Sequence, residues 1–366
     1  MERIVSACDH VLEWNDYRSD FPIHILHGGG GTSANMNVNE VIAHVANRGA
    51  DGKYRARGPV DPHDHVNKNQ STNDVYPSAC RLSLYHDADL LHRSLQKGSD
   101  VLAGLEERHE LTPRLARTCL RDAVKSEFGL FFGAYRRAWD RAGERIGGSL
   151  PRLLTLSVGG GVAGQRDATP ARYRDAVLLE LRRVFDCDGI QLTSDFTDAA
   201  QNSDDLLDLA HALDTLARVL IKQAQDLRLL GSGPEAGLGE VILPALQPGS
   251  SAIPGKINPV IPEFVIQCAM QTIASVTACG LAVQQAELDL NVWEGVLVYN
   301  LSIGLGLMRS AVDGFTDRCL SGLQIDEALN RKHSCVTTPK VAMLAQAISH
   351  HAALSDKLGL PGNTAP

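Results

Sequence analysis

Ser250 and Ser251 stand side by side in Gly249-Ser-Ser-Ala-Ile-Pro-Gly-Lys256-Ile-Asn258-Pro259, a run that also holds a lysine and an amide. A serine hydroxyl is a poor base at its free pKa. It becomes useful only where backbone N–H groups and a nearby cation stabilise its oxyanion. Glycine and proline can shape such a turn, Lys256 offers positive charge and Asn258 a directional donor. An ordinary surface lysine is the competing reading of Lys256.

Two earlier loops are rich in small neutral hydrogen-bonding groups. Gly28-Gly-Gly-Gly31 runs into Thr32-Ser33-Ala-Asn35-Met-Asn-Val-Asn-Glu40. No Gly-Lys-Ser/Thr follows, so this is not a nucleotide-binding P-loop, and no strand precedes it as a dinucleotide fingerprint requires. Hydroxyls and amides at an expected helix start suit a carboxylate, and they also suit a plain capped loop. Ser71-Thr72-Asn73-Asp74 reads in the same two ways, as donors for a carboxylate or amine or as a helix cap. Ser157-Val-Gly-Gly-Gly161 has a similar composition and suggests no role of its own.

The elements that must hold these loops are helical. Leu206, Leu209, Leu213, Leu216 and Leu220 recur at spacings of three and four, with Leu227 a heptad further on. Asp204, Asp205, Asp208 and Asp214 mostly avoid that face, Ser203 is placed to cap it, and Gly231-Ser-Gly-Pro234 ends it. Further helices are predicted over 88–108, 126–143, 170–185, 263–281 and 284–307. Strand-like alternation is scarce, so the expected fold is mainly α, a long antiparallel helix bundle with an additional self-association seam.

Composition narrows the function classes. The 366 residues are 44% hydrophobic, ample for a large core, and the net charge is −8, which argues against a nucleic-acid or anionic-membrane partner. Eight scattered cysteines form no C-x-x-C pair, and no metal-ligand set or disulfide framework is readable. The N-terminus lacks the pattern of a signal peptide, and apolar runs such as 264–283 are broken by Gln267, Gln271 and Thr272. The expectation is a cytoplasmic protein with no membrane partner, and Leu358–Pro366 reads as a frayed tail.

Taken together and in order, the loops resemble those of the aspartase/fumarase superfamily. The third is nearly its G-S-S-x-x-P-G-K-x-N motif, the first its G-x-G-T-x-x-N-M-N-x-N-E segment. Asp64-His65-Val-Asn-Lys-Asn-Gln-Ser-Thr-Asn-Asp74 is similar to D-H-V-N-x-x-Q-S-T-N-D. Gly237-Leu-Gly-Glu240, Leu290-Asn-Val292 and Tyr299-Asn300-Leu301 extend the likeness over residues 20–345. The resemblance implies a homotetramer with a twenty-helix core and active sites shared between subunits. It also implies a small dicarboxylate substrate, elimination from a succinyl skeleton to give fumarate, and no cofactor. By the same resemblance Ser250 is the base that forms a dianionic aci-carboxylate, with Ser251 beside it. Lys256 and Asn258 hold one carboxylate, Thr32, Ser71 and Thr72 the other, with Ser33, Asn35 and Thr118 nearby, and Asn73 faces the leaving group.

The chain departs from the family pattern at particular residues. Ala116-Arg-Thr118-Cys119 stands where the family has Gly-Arg-Thr-His, so the histidine that normally pairs with a glutamate matching Glu263 is a cysteine. Cys119 reads either as a buried inert thiol or as a reactive thiolate. His27 replaces a usual glutamine, Gly30 a serine of fumarases, and Asp61-Pro-His63-Asp64 a His-Pro-Asn-Asp that serves an accessory anion site. Against the family, the resemblance implies an abbreviated N-terminal domain over 1–125 with two substrate loops. A central bundle over 126–330 would carry the serine loop, followed by a vestigial segment over 331–366. Thr32-Ser33 resembles the aspartase form of the first loop. The leading expectation is therefore an ammonia- or amine-eliminating lyase (a nitro leaving group being the variant). A catalytically impaired paralogue that binds dicarboxylates or partners an active homologue, and a fumarate hydratase, are the alternatives.

Overall fold

The computed structural model describes residues 1–13, 19–49, 53, 58–165, 167–335 and 350. The tail over 358–366, and the expected C-terminal segment beyond residue 335 apart from His350, lie outside the described residues. Helices dominate, as the periodicity predicts. In chain order they are α1 (Glu2–Leu12), α2 (Thr32–Ala46), α3 (Thr72–Arg108), α4 (Phe128–Leu153), α5 (Ala171–Phe185), α6 (Phe196–Gln201), α7 (Asp204–Leu230), α8 (Val260–Gln284), α9 (Glu294–Arg318) and α10 (Glu327–Ser334). Three two-stranded ladders accompany them: β1 (Pro113–Thr118) antiparallel to β2 (Arg121–Glu127), β3 (Thr155–Leu156) parallel to β4 (Gln191–Leu192), and β5 (Val241–Ile242) antiparallel to β6 (Gln324–Ile325).

The chain forms two compact units. One comprises Met1–Lys97, Trp139–Lys222 and Phe264–Asp313; the other comprises Gly98–Ala138, Gln223–Glu263 and the chain from Gly314 on. In the first unit, Leu206, Leu209, Leu213, Leu216 and Leu220 of α7 are all buried, as the leucine spacing requires. A smaller cluster joins Leu82 of α3 to Leu154, Leu156, Val158 and Ile190, so the β3–β4 pair is fastened to the helix that begins at Thr72. In the second unit, Phe128, Phe132 and Tyr135 of α4 are buried, and Arg114 lies over the rings of Phe128 and Phe131 at 5.6 and 4.5 Å.

Helix starts differ from expectation in two places. α3 begins at Thr72, well before the predicted Ala88, because Ser71 and Asp74 close its first turn. The helix predicted from Gln284 begins instead at Glu294. Glu287 and Leu290 exchange backbone hydrogen bonds in a tight turn, and the Asn291 side chain accepts from the Trp293 N–H. Neither glycine nor proline marks that break, so apolar spacing runs through it. The Ser203 carbonyl accepts from Leu206 and Leu207 at the start of α7, placing Ser203 at the N-cap, but its hydroxyl accepts from Asn291 rather than from the helix.

α8 is apolar over most of its surface apart from Glu263, Gln267 and Gln271, and Phe264, Met270 and Leu281 remain exposed. By length and composition α8 and the stretch Glu294–Gly322 are each long and apolar enough to cross a membrane, with 44% of each apolar window buried. Helices of this kind also occur as the central elements of soluble bundles.

A buried ionic group sits in the first unit. Arg81 of α3 makes a bidentate pair with Asp205 of α7 at 2.5 and 3.0 Å, and the buried Glu294 of α9 faces the same charges. Burial pushes Glu294 up to about 7; Arg81 opposes the shift and Asp205 adds to it. The folded protein thus holds a proton that the unfolded chain releases nearer the ordinary glutamate value. This contribution to stability is full below about pH 4.5 and is lost as the pH rises through about 7. Glu294→Gln is therefore expected to unfold at a higher temperature than the wild type at pH 8 and to lose that advantage by pH 5. Thermal unfolding at the two pH values checks this; a difference independent of pH would refute it.

Candidate active site

In the first unit, the glycine run delivers the start of α2. Gly29, Gly30 and Gly31 all have positive φ, and a Cβ on Gly31 would lie 2.4 Å from the Tyr76 ring, so glycine is required there. Thr32 opens the helix, is exposed, and its hydroxyl donates to the Gly29 carbonyl at 2.8 Å. Ser33 beside it is exposed. Asn35, one turn in, is buried, and its amide donates to Thr72 Oγ1 at 3.0 Å and Asn67 Oδ1 at 3.2 Å. Two loops far apart in sequence are thereby joined. Because the Thr72 oxygen accepts from Asn35, its own proton is left for another acceptor.

The second loop is a reciprocal helix cap. Ser71 Oγ accepts from the Asn73 N–H, and Asp74 Oδ1 accepts from the Ser71 N–H, both at 3.2 Å. The other carboxylate oxygen of Asp74 accepts from Gly161 N at 2.8 Å, and Asn73 Nδ2 donates to the Val162 carbonyl at 2.8 Å. Asp74 is 1% exposed, and burial pushes it up to about 6 despite these backbone donors. The Ser157–Gly161 segment, which had no evident role in sequence, is therefore the support against which Ser71, Thr72 and Asn73 are set. An open cleft of about 410 Å³ lies beside Ser71, with His63, Asp64, Lys68, Gly161 and Val162 in its walls.

In the second unit, the serine loop closes on itself. Gly249 N donates to the Lys256 carbonyl at 2.8 Å, and Asn258 Nδ2 donates back to the Gly249 carbonyl at 2.9 Å. A Cβ on Gly249 would lie 2.4 Å from the Lys256 oxygen, so only glycine permits this neck. Within the loop, Ser250 Oγ accepts from Ala252 N at 3.1 Å and Ile253 N at 3.0 Å. Two backbone donors aimed at one serine oxygen are what an oxyanion needs. Ser251 and Lys256 are exposed on the same loop. One amide hydrogen of Asn258 closes the neck and the second is left for a ligand.

Cys119 lies at the tip of the β1–β2 hairpin. Thr118 pairs with Arg121, and Cys119 and Leu120 between them have φ of 52° and 58°. These left-handed values mark a tight two-residue turn. The thiol is exposed, which corrects the reading of a buried inert cysteine. The hairpin itself was missed in sequence, since β1 and β2 show no clean alternation. Glu263 faces Arg228, with Nη2 to Oε1 at 3.4 Å, so a guanidinium stands against the carboxylate that in the family pattern meets an imidazole. Thus Thr32, Ser33, Asn35, Ser71, Thr72 and Asn73 belong to one compact unit, and Thr118, Cys119, Ser250, Ser251, Lys256, Asn258 and Glu263 to the other. No cluster of metal ligands occurs among the described residues.

Comparison with known proteins places this arrangement. A family profile described as "Lyase" matches residues 1–274. The chain is 36% identical over 352 residues to a class II fumarate hydratase of Pseudomonas putida, covering 95% of this chain and 74% of the relative. It is 35% identical over 358 residues to an aspartate ammonia-lyase of Bacillus subtilis, covering 96% and 72%. A crystal structure of class II fumarase from Schistosoma mansoni superposes with a TM-score of 0.88 at 29% identity, covering 98% of this chain and 81% of that one. A helical fold, the collinear loops and relatives of both kinds agree: the chain belongs to the aspartase/fumarase superfamily of lyases.

Proposed function

We propose that the protein eliminates ammonia, or a related amine or nitro group, from an aspartate-like succinate to give fumarate. Ser250 is the base, and the observation that carries this reading is its Oγ accepting from the Ala252 and Ile253 N–H groups. Those donors favour the alkoxide, and so raise its fraction, without needing an imidazole to hold the proton. Abstraction beside one carboxylate gives the aci-carboxylate, whose charge Lys256 and Asn258 hold. Ser71 and Thr72, whose hydroxyl protons are left unspent at the positive end of α3, hold the other carboxylate, and Thr32 joins them by turning its hydroxyl from the Gly29 carbonyl to the ligand.

Asn73 selects the leaving group. Its Nδ2 is directed to the Val162 carbonyl, so Oδ1 is the atom presented away from that loop, and an ammonium is a donor that fits it. A fumarate hydratase is the second reading, because the P. putida relative is one at an identity comparable to that of the ammonia-lyase. A paralogue that binds dicarboxylates without turnover is the third. The exposed apolar residues Phe264, Met270 and Leu281 of α8 support assembly of a homotetramer, with active sites shared between subunits, rather than membrane insertion. Its relatives are enzymes of small metabolites, which supports a soluble, cytoplasmic protein.

Fumarate formation followed by ultraviolet absorbance, with aspartate, malate and substituted succinates compared, decides among these readings. Turnover of aspartate is expected; turnover of malate alone would establish the hydratase, and saturable fumarate binding without turnover the silent paralogue. Ser250→Ala should lower kcat by about a hundred- to ten-thousand-fold while leaving assembly intact. Retention of full activity would remove Ser250 from the role of base. Asn73→Ala should lower kcat/KM for aspartate by about ten- to a hundredfold, the loss of one hydrogen bond to a charged group. Inhibition by fumarate, which carries no amine, should be unaffected, and an equal loss of fumarate binding would show that Asn73 serves a carboxylate instead.

A further inference from the structure

Glu240 is completely buried, and a carboxylate without solvent must be answered by donors inside the protein. Arg117 gives it two, with Nη2 at 2.6 Å from Oε1 and Nη1 at 2.9 Å from Oε2, and His333 Nδ1 gives a third at 2.7 Å. Burial opposes ionisation, but Arg117 and His333 outweigh it and hold Glu240 below the usual carboxylate range. The backbone around Glu240 is held as firmly. Its N–H donates to the Leu230 carbonyl, while its carbonyl accepts from Asp326 N and from Asn330 Nδ2 at 2.9 Å. The next residues, Val241 and Ile242, pair with Ile325 and Gln324. Asn330 and His333 sit on α10, whose first turn is capped by the Asp326 side chain.

What this clamp holds is the β1–β2 hairpin just short of its turn, where Arg117 pairs with Asp122. Arg117 shares a face of β1 with the buried Leu115 and is mostly buried itself, whereas Thr118, Cys119 and Leu120 at the tip are exposed. Between the pairs Leu115↔Lys125 and Arg117↔Asp122 the register slips by a residue, which weakens the ladder as a guide for the tip. With the tip exposed, the clamped guanidinium next to it fixes where Thr118 and Cys119 stand.

We propose that Glu240 and His333 are positioning residues for the Thr118–Cys119 turn, acting through Arg117, so that α10 sets the geometry of a site loop more than two hundred residues away in sequence. Neither touches substrate in this account. The consequence for turnover rests on the lyase reading above; the consequence for the hairpin does not. The pairing is also selective in geometry. Asparagine at position 333 can present its Nδ2 where the imidazole presents Nδ1, whereas leucine fills the space without a donor.

The test uses the full chain as His333→Leu, His333→Asn and Glu240→Gln variants. Amide hydrogen exchange over 113–127 reads the hairpin directly. His333→Leu is expected to speed that exchange about fivefold or more and His333→Asn to restore it, with the buried α7 segment unchanged in both. In steady state, His333→Leu should raise KM or lower kcat/KM about tenfold, and His333→Asn should recover most of the loss. Exchange over 113–127 that matches the wild type in His333→Leu overturns the proposal, as does failure of His333→Asn to rescue. Because His333 is partly exposed, its variants keep the test decisive even where Glu240→Gln does not fold. If no succinate is turned over but the exchange pattern holds, the lyase reading falls and the positioning of the hairpin stands.

Discussion

A carboxylate at 1% exposure cannot rely on water, and Asp74 resolves this by accepting from Ser71 N with one oxygen and Gly161 N with the other. That single side chain does three things at once. It completes the cap that starts α3, it draws the glycine loop over 157–161 against that start, and through the neighbouring Asn73–Val162 bond it orients the amide of a candidate site residue. Replacing it by an amide would put an N–H donor opposite another donor, so the arrangement demands an acid there. The small hydroxyls of the second loop have defined directions because this contact fixes the backbone that carries them.

The serine loop meets the same problem with backbone groups and one side-chain amide. Its neck is closed by Gly249 N to Lys256 O and by Asn258 Nδ2 to Gly249 O, and the interior donors of Ala252 and Ile253 converge on Ser250. A loop built this way holds its charge-stabilising groups before a substrate arrives, which is the condition for electrostatic stabilisation to lower a barrier rather than merely to bind. Buried or charged groups elsewhere are matched in kind: Arg81 with Asp205, Arg117 with Glu240, Arg228 with Glu263. Each pairing crosses between segments distant in sequence, so the ionic contacts fix register between elements that apolar packing alone would leave free to slide.

Much of this was legible in the residues. The Leu206–Leu220 spacing announced α7 because a helical period is local information, and the S-T-N-D run announced a cap because its chemistry lies within four residues. The loops Gly28–Asn35, Ser71–Asp74 and Gly249–Asn258 were found by composition, and their motif order identified the family. What stayed hidden depended on distance. Nothing near Ser157 says that its glycines will meet Asp74, and nothing near His333 says that it will meet Glu240. The β1–β2 hairpin was hidden for another reason: its turn is Cys119-Leu120, two residues with no preference for positive φ. Apolar spacing carries a helix back to Gln284 because the turn at 287–290 contains no breaker.

The exchange of histidine for Cys119 bears most directly on which group departs. Elimination of water from a hydroxy acid sheds hydroxide, a poor leaving group, so the site must supply a proton to the departing oxygen. Elimination of ammonia from a substrate that already carries an ammonium needs no such donor, since the C–N bond breaks to neutral ammonia directly. Taken one by one, Asn73 presents an amide oxygen, Cys119 a thiol where the family pattern has an imidazole, and Glu263 faces Arg228, so none of the three is an acid suited to the first reaction. The same substitution that removes a family hallmark therefore supports the proposed carbon–nitrogen cleavage, while Ser250 with its two backbone donors would serve either reaction.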